Sequence, residues 1–320
     1  MILFDQKTPV DELNDYLKNR INFLKKNEVL IDKEIPGEGN MNIVIRLITN
    51  QRSFILKQSR SFVVKYPKLS APLNRIDVEY NFYSQVGVNS FFPKVLKFDP
   101  KNYILFLEDL GTCEDLTSIY QSTIIPKDFI DKLIMGLNYI HQQKISKVYP
   151  ENKLLRKLNH QHIFILPFIE NDFPLDHVQK GLNELAKPFK TNKILFKKIS
   201  EAGKIYMEKG DTLLHGDYYP GSWIQLDKRL CIIDPEFSFL GPKEFDLGVM
   251  AAHIILTTGQ RSFFDLTIKN YQGKINVNMT KIYCGIEIIR RLIGLAQLPI
   301  KRTLKQKKNL LNLANNLILQ

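Results

Sequence analysis

Cysteine is scarce: the 320-residue chain carries three, Cys113, Cys231 and Cys284, far apart and without a CxxC pair. An odd, scattered set excludes a disulfide framework and a cysteine-built zinc site. It reads as small reduced core residues in a reducing compartment. No apolar run reaches the ~18 residues that a membrane-spanning helix needs. Asp5 interrupts the N-terminal residues almost at once, so no signal peptide is expected, and a cytoplasmic protein with no membrane partner is. The phosphate-loop pattern GxxxxGK(S/T) is missing. So are zinc-finger and RNP signatures, internal repeats and low-complexity segments.

What is present describes a globular protein. Hydrophobic residues make up 44% and charged residues 24%, ordinary proportions for a soluble domain, and the length suffices for two lobes. The net charge of +12 raises the question of nucleic acid. The lysines, however, are spread over the chain, and the densest run, Lys301 to Lys308, reads as the solvated face of a helix. No nucleic-acid partner is expected. A basic surface also attracts an anionic nucleotide.

The stretch from Leu213 to Gly248 concentrates the chemistry. Two short β-prone runs, Trp223–Leu226 and Leu230–Ile233, flank the turn Asp227-Lys228-Arg229 and read as a hairpin. Asp217 precedes it; Asp234 and Glu236 follow it. An antiparallel hairpin returns the chain to its starting end, so the three carboxylates are expected to converge. Such a group suits Mg²⁺, which binds through one or two carboxylates plus substrate phosphates. Asp217 is then left to orient a hydroxyl and take its proton in phosphoryl transfer. A polar hairpin in an ordinary domain is the alternative.

Upstream, Pro9 to Asn27 has helical spacing. Ile31–Glu34 leads into Pro36-Gly37-Glu38-Gly39-Asn40-Met41-Asn42 and the strand Ile43–Ile48. A glycine turn lets backbone N–H groups approach a phosphate, though a plain hairpin turn explains it equally. Ser53–Gln58 reads as a third strand carrying Lys57. A lysine there is most often solvent-facing; the functional alternative pairs it with phosphates and with Glu79, mid-helix in Asn74–Val86. Tyr103–Leu107 reads as a fourth strand. It ends in Glu108-Asp109-Leu110-Gly111, a linker suited to holding adenine by backbone groups.

Downstream, Lys127–Gln142 is amphipathic, with His141 as a packing or capping residue. Tyr149–Asp176 looks irregular, and its His160 and His162 read as structural or substrate-lining rather than zinc ligands. Asn192–Glu208 reads as a helix capped by Thr191. Phe245–Gly259 reads as a buried helix with Asp246 in its first turn, able to accept backbone N–H bonds and brace the loop. Thr280–Leu298 carries Arg290 and Arg291. About 100° apart on a helix, at least one can turn to a cleft, although surface charge is the usual reading. Arg302–Gln320 is a last helix.

HGDYYPGSW together with IDPEF resembles the aminoglycoside phosphotransferase and choline kinase superfamily, most closely its 5-methylthioribose kinase branch. GEGNMN resembles the family's glycine loop, ILKQ its lysine strand, IDPEFSFLGPKEFDLG its metal segment and brace, and GIEIIRRLIGLA its late arginine helix. The resemblance implies an α+β, two-lobed protein-kinase-like fold. Its small N-lobe, residues 1–107, holds an antiparallel sheet; a hinge at 108–111 leads to a larger, mainly helical C-lobe, 112–320. It implies an ATP-dependent kinase that phosphorylates a hydroxyl of a small, sugar-like molecule, with methylthioribose or a related pentose as the leading acceptor. A kinase of an aminoglycoside or amino alcohol, or a non-catalytic nucleotide-binding module, is the alternative; a homodimer stays open. The implied roles are Asp217 as base, Asp234, Glu236 and Ser222 around Mg²⁺, and Gly37, Gly39, Asn40, Lys57, Glu79, Glu108 and Leu110 around ATP. Arg290, Arg291 and Tyr219 fall on the substrate side, and His215 and Asp246 brace the loop. Two departures stand out. The family's usual HGDLH is replaced through Tyr218-Tyr219-Pro220, and Val148–Asp176 matches poorly.

Overall fold

The structure, a computed structural model, describes residues 1–37, 41–145, 148–227 and 229–320. Its contacts divide the chain into two units, Met1–Glu114 with Ile224–Phe237, and Asp115–Trp223 with Ser238–Gln320.

The first unit is built on a five-stranded antiparallel sheet in the spatial order β1 (Leu30–Glu34), β2 (Ile43–Thr49), β3 (Ser53–Gln58), β7 (Ile104–Glu108) and β6 (Val95–Asp99), numbered along the chain. A short helix, α1 (Val10–Asp15), precedes β1. Period-two alternation sends Ile45 and Leu47 of β2, and Phe54 and Leu56 of β3, into one core with Phe4, Leu13 and Leu17. Each such side chain contributes about 1.5–3 kcal/mol by leaving water. Thr49 Oγ1 accepts the N–H groups of Gln51 and Arg52 and so closes the β2–β3 turn. The alternation leaves Lys57 on the opposite face of β3. It is not solvent-facing there: it is 4% exposed. The helix α2 (Arg75–Val86) packs against β6 and β7 of the same sheet.

In the first unit three strands escaped the sequence reading, β4 (Phe62–Val63), β5 (Tyr66–Ser70) and β6 (Val95–Asp99), so the apolar strand before the linker is β7 (Ile104–Glu108) and not the fourth. β5 is exposed throughout, and β6 is half-buried with a register shift between Val95 and Lys97. Neither shows clean alternation. The N-terminal helix is also shorter than expected. After α1 it makes one wide turn, Tyr16–Arg20, and stops where Asn22 turns left-handed at φ 48°.

The second unit is mainly helical: α3 (Lys127–His141), α4 (Lys153–His160), α5 (Leu175–Val178), α6 (Leu182–Lys190) and α7 (Lys193–Met207) come first. The segment read as irregular thus contains α4, entered through Asn152 in the left-handed region. The cap of α7 is Asn192, whose side chain accepts the Leu195 N–H, and not Thr191. β8 (Thr212–Leu214) pairs antiparallel with β11 (Phe239–Gly241); between them in the chain, the hairpin β9 (Trp223–Leu226) and β10 (Arg229–Ile232) falls in the first unit apart from Trp223.

Next come α8 (Lys243–Thr258), α9 (Ser262–Asn270), α10 (Val277–Ile293) and α11 (Leu304–Leu319). α8 is apolar nearly all round and is buried from Phe245 to Thr257, the pattern of a central core helix. α10 lies against it closely: a Cβ on Gly248 would fall 2.6 Å from Tyr283 Cβ and 2.9 Å from Cys284 N. That approach sets His253 of α8 beside Glu287 of α10. α10 ends at Ile293, short of Leu298, with Gly294 as its cap.

Candidate functional site

Two clusters of charged side chains stand out, one in each unit. In the first unit Lys57 Nζ lies 2.7 Å from Glu79 Oε2 and 2.5 Å from Asp234 Oδ1. Burial works against the ammonium, but Asp234, Glu79 and Glu236 together outweigh it and raise its pKa. Glu79 is fully buried, and desolvation pushes its carboxyl up to about 7, against the pull of Lys57. Asp234 holds a left-handed backbone, φ 61°, which aspartate tolerates better than most residues. Its carboxylate is half-exposed, unlike that of Glu79.

Arg75 organises this cluster, and the sequence reading did not single it out. The side chain is wholly buried. Its Nε donates to Asn42 Oδ1 at 2.9 Å and lies 3.3 Å from Glu236 Oε2; Nη2 donates to the Met41 carbonyl and Nη1 to that of Arg60. Asn42 Nδ2 in turn donates to Glu236 Oε2 at 2.9 Å. One guanidinium therefore ties the end of the glycine turn to the start of α2 and to the segment after β10. Glu236 is buried, and desolvation raises its pKa. Gly37 lines a hollow of about 210 Å³ with Asn42, Val44, Val64 and Lys65; Gly39 and Asn40 lie outside the described residues. Glu108 ends β7 opposite Phe54. Past it, Arg46 of β2 holds the linker through the Asp109 carboxylate at 3.1 Å and the Gly111 carbonyl at 2.6 Å, with half-buried Leu110 between.

In the second unit Asp217 sits on a braced loop. Asp246 Oδ2 accepts the His215 N–H at 2.7 Å and Oδ1 accepts the Gly216 N–H at 3.0 Å, while His141 Nε2 lies 3.4 Å from the same carboxylate. His141 also meets the Tyr271 hydroxyl at 2.9 Å, so it supports the brace. Gly216 takes φ 85°, where a Cβ is disfavoured. Ser222 Oγ donates to the Asp217 carbonyl at 2.9 Å. Tyr218 is buried, with its hydroxyl on the Leu133 carbonyl at 2.9 Å. The first tyrosine of the departure from HGDLH is thus part of the core.

Arg291 Nη2 lies 3.7 Å from Asp217 Oδ1, and its guanidinium stands 4.9 Å over the Tyr219 ring. Arg291 and Arg290 are not surface charge. Both are buried, and Glu287, 1% exposed, takes Arg291 Nε at 2.6 Å and Arg290 Nη1 at 2.8 Å. Of the two, Arg291 is the one that reaches Asp217. His253 Nε2 meets Glu287 Oε1 at 3.1 Å, and its Nδ1 meets the Tyr120 hydroxyl at 2.6 Å. Burial, with Arg291 and Arg290 nearby, pushes His253 down to about 4, although Glu287 pulls the other way. A neutral ring beside a carboxylate carries its proton on Nε2, so Nδ1 accepts from Tyr120. Glu287 is itself held well below the usual carboxylate range, because the two arginines outweigh its burial. Glu287, His253 and Tyr120 were missed; the one available signal was the spacing of Glu287, three and four residues before the arginines.

His160 packs against Gly203 and Phe164, and burial lowers the pKa of both His160 and His162. Among the described residues no cluster of three or more His, Cys, Asp or Glu is arranged to hold a metal unaided.

A family model described as the phosphotransferase enzyme family matches residues 36–276. The methylthioribose kinase of a Geobacillus species is 25% identical over 94% of this chain and 89% of its own length. That of Geobacillus thermodenitrificans is 26% identical, over 76% of this chain and 64% of its own. Among solved structures, the choline kinase LicA of Streptococcus pneumoniae superimposes with a TM-score of 0.52 at 16% identity, over 96% of this chain and 98% of its own. The ethanolamine kinase of Plasmodium vivax gives 0.55 at 12% identity, over 91% and 82%. Both likenesses speak to the fold, an antiparallel sheet followed by a helical region.

Proposed function

The chain belongs to the phosphotransferase enzyme family, and we propose that this ATP-dependent phosphotransferase moves the γ-phosphate of ATP to a hydroxyl of a neutral or anionic sugar, with methylthioribose or a related pentose as acceptor. The observation that carries the reading is Arg291 beside Asp217. A carboxylate on a braced loop can orient a hydroxyl and accept its proton. A fixed guanidinium next to it offers a fork of N–H donors to vicinal hydroxyls or an anion. The same guanidinium repels a choline-like or aminoglycoside cation, which disfavours the amino-alcohol reading.

Lys57, held by Glu79, supplies the cation for the phosphates, and the backbone of the 108–111 linker supplies groups for adenine. The donor set fits Mg²⁺: Asp234 presents a half-exposed carboxylate, and a hard ion that completes its shell with phosphates and water needs few protein ligands. Asp234 would hold it, with Glu236 as a further candidate. Bound there, the ion would neutralise charge on the phosphates.

The test is ADP release with MgATP against methylthioribose, ribose, other pentoses, choline, homoserine and kanamycin, with Asp217→Asn in parallel. Turnover on methylthioribose or another pentose, lost by about 10²-fold or more in the variant, supports the reading. Turnover confined to cationic acceptors overturns the sugar assignment. Turnover undiminished in the variant removes Asp217 from its role.

A further inference from the structure

Arg291 is useful to an acceptor only if its fork points the right way, and a free arginine has ample rotamer freedom to point elsewhere. Three contacts remove that freedom. Glu287 Oε1 takes Nε at 2.6 Å, the Ala296 carbonyl accepts from Nη1 at 3.5 Å, and the Tyr219 ring covers the guanidinium face. Only the first is a charge-assisted hydrogen bond between buried groups, and it is the strongest of the three. Glu287 is fixed in turn, with Arg290 on Oε2 at 2.8 Å and His253 on Oε1 at 3.1 Å, and His253 is anchored by Tyr120.

We infer that Glu287 is the positioning residue of the acceptor side: its buried carboxylate orients the Arg291 fork toward Asp217, and His253, held by Tyr120, keeps that carboxylate from turning. Tyr120, His253 and Glu287, from three places in the sequence, are thereby linked in series to one guanidinium. Simple charge pairing would not need this. Arg290 alone would neutralise Glu287, and the bond to Arg291 adds orientation. The chain of contacts runs from Tyr120 through His253, Glu287 and Arg291 to Asp217 and stays inside the second unit. The nucleotide-side groups Lys57, Glu79 and Asp234 belong to the first. A change at Glu287 should therefore separate acceptor recognition from nucleotide recognition.

This inference rests on the proposed kinase activity for its kinetic arm, and a second arm is independent of it. In wild type the Arg291 Nε–H, assigned in NMR spectra by its loss in Arg291→Lys, should exchange slowly with solvent. In Glu287→Gln the resonance should shift and its protection fall. In the kinetic arm, Glu287→Gln should lower kcat/KM for the acceptor by on the order of 10²-fold and leave the KM for MgATP unchanged. Glu287→Asp, which keeps the charge on a shorter stem, should recover part of that loss. A merely structural role predicts equal losses for acceptor and nucleotide with a lowered Tm, and that result overturns the inference. So does an Arg291 Nε–H that exchanges rapidly in wild type, a measurement that stands even if Glu287→Gln does not fold. Absence of turnover on every acceptor tried sinks the proposed function and leaves Glu287 to be decided by the exchange data.

Discussion

Asp246, in the first turn of α8, accepts the backbone N–H groups of both His215 and Gly216, at 2.7 and 3.0 Å. A single buried carboxylate therefore sets the direction in which the chain enters Asp217. Asp246→Ala removes the acceptor that both N–H groups use, each lost bond costing about 1–3 kcal/mol. We expect a stability loss of about 2–6 kcal/mol in urea unfolding, and a kcat reduced by tenfold or more in whatever protein remains folded. A variant with wild-type midpoint and turnover would show that the loop holds itself.

His253 makes stability depend on pH. The unfolded chain protonates this histidine below about 6.5, whereas the folded chain keeps it neutral down to about 4. Between those values the unfolded state binds more protons, so stability falls as the pH falls, by at most about 3 kcal/mol. Glu287, held low, acts in the same direction at still lower pH. Glu79, pushed up to about 7, acts in the opposite direction, since its folded form favours the proton. The clean measurement is thus a difference. His253→Gln can still donate to Glu287 and accept from Tyr120, and should flatten the pH 4–6.5 slope of urea stability relative to wild type. Parallel slopes would sink the assignment.

Asp234 lends itself to a conservative test. Its left-handed backbone is one that asparagine also tolerates, so Asp234→Asn should keep the turn. It removes the charge beside Lys57 and the expected hold on Mg²⁺. Calorimetry should show MgATP affinity falling by tenfold or more, while binding of ATP in excess EDTA changes little or improves through lost repulsion. Unchanged MgATP affinity would reduce Asp234 to a turn residue.

The residues that were legible from the sequence are those that local pattern betrays. The order of a strand lysine and a mid-helix glutamate made Lys57 and Glu79 readable as a pair, although a solvent-facing lysine was the commoner reading, and an aspartate opening a buried helix made Asp246 readable as a brace. Arg75 was not readable, because an arginine in the first turn of a helix ordinarily faces solvent. Only the fold shows it surrounded by the carbonyls of Met41 and Arg60 and by Glu236. Tyr120 and His253 lie 133 residues apart and meet only through tertiary packing. α4 was hidden behind Pro150 and a left-handed Asn152, and α6 by Pro188 within it, a residue that usually ends a helix.

On the proposed function, Arg291 is the residue that chooses the acceptor. With Glu287 on Nε and Tyr219 over its face, the side chain keeps Nη2 toward Asp217 at 3.7 Å. That separation is too long for a good hydrogen bond, so the pair is poised rather than locked, and an acceptor hydroxyl can engage both partners. Arg291→Ala removes the fork and also the cation that repels a positive acceptor. It leaves Glu287 with Arg290 and His253, so the fold should survive. For a pentose, kcat/KM should drop by about 10²-fold, the scale of a lost charged hydrogen bond at about 3 kcal/mol. For choline or kanamycin, any residual activity should hold or rise, because the guanidinium that repels a cation beside Asp217 is gone. Steady-state ADP release on both acceptor classes distinguishes the cases. Equal losses on both would mean that Arg291 supports the loop and does not choose the substrate.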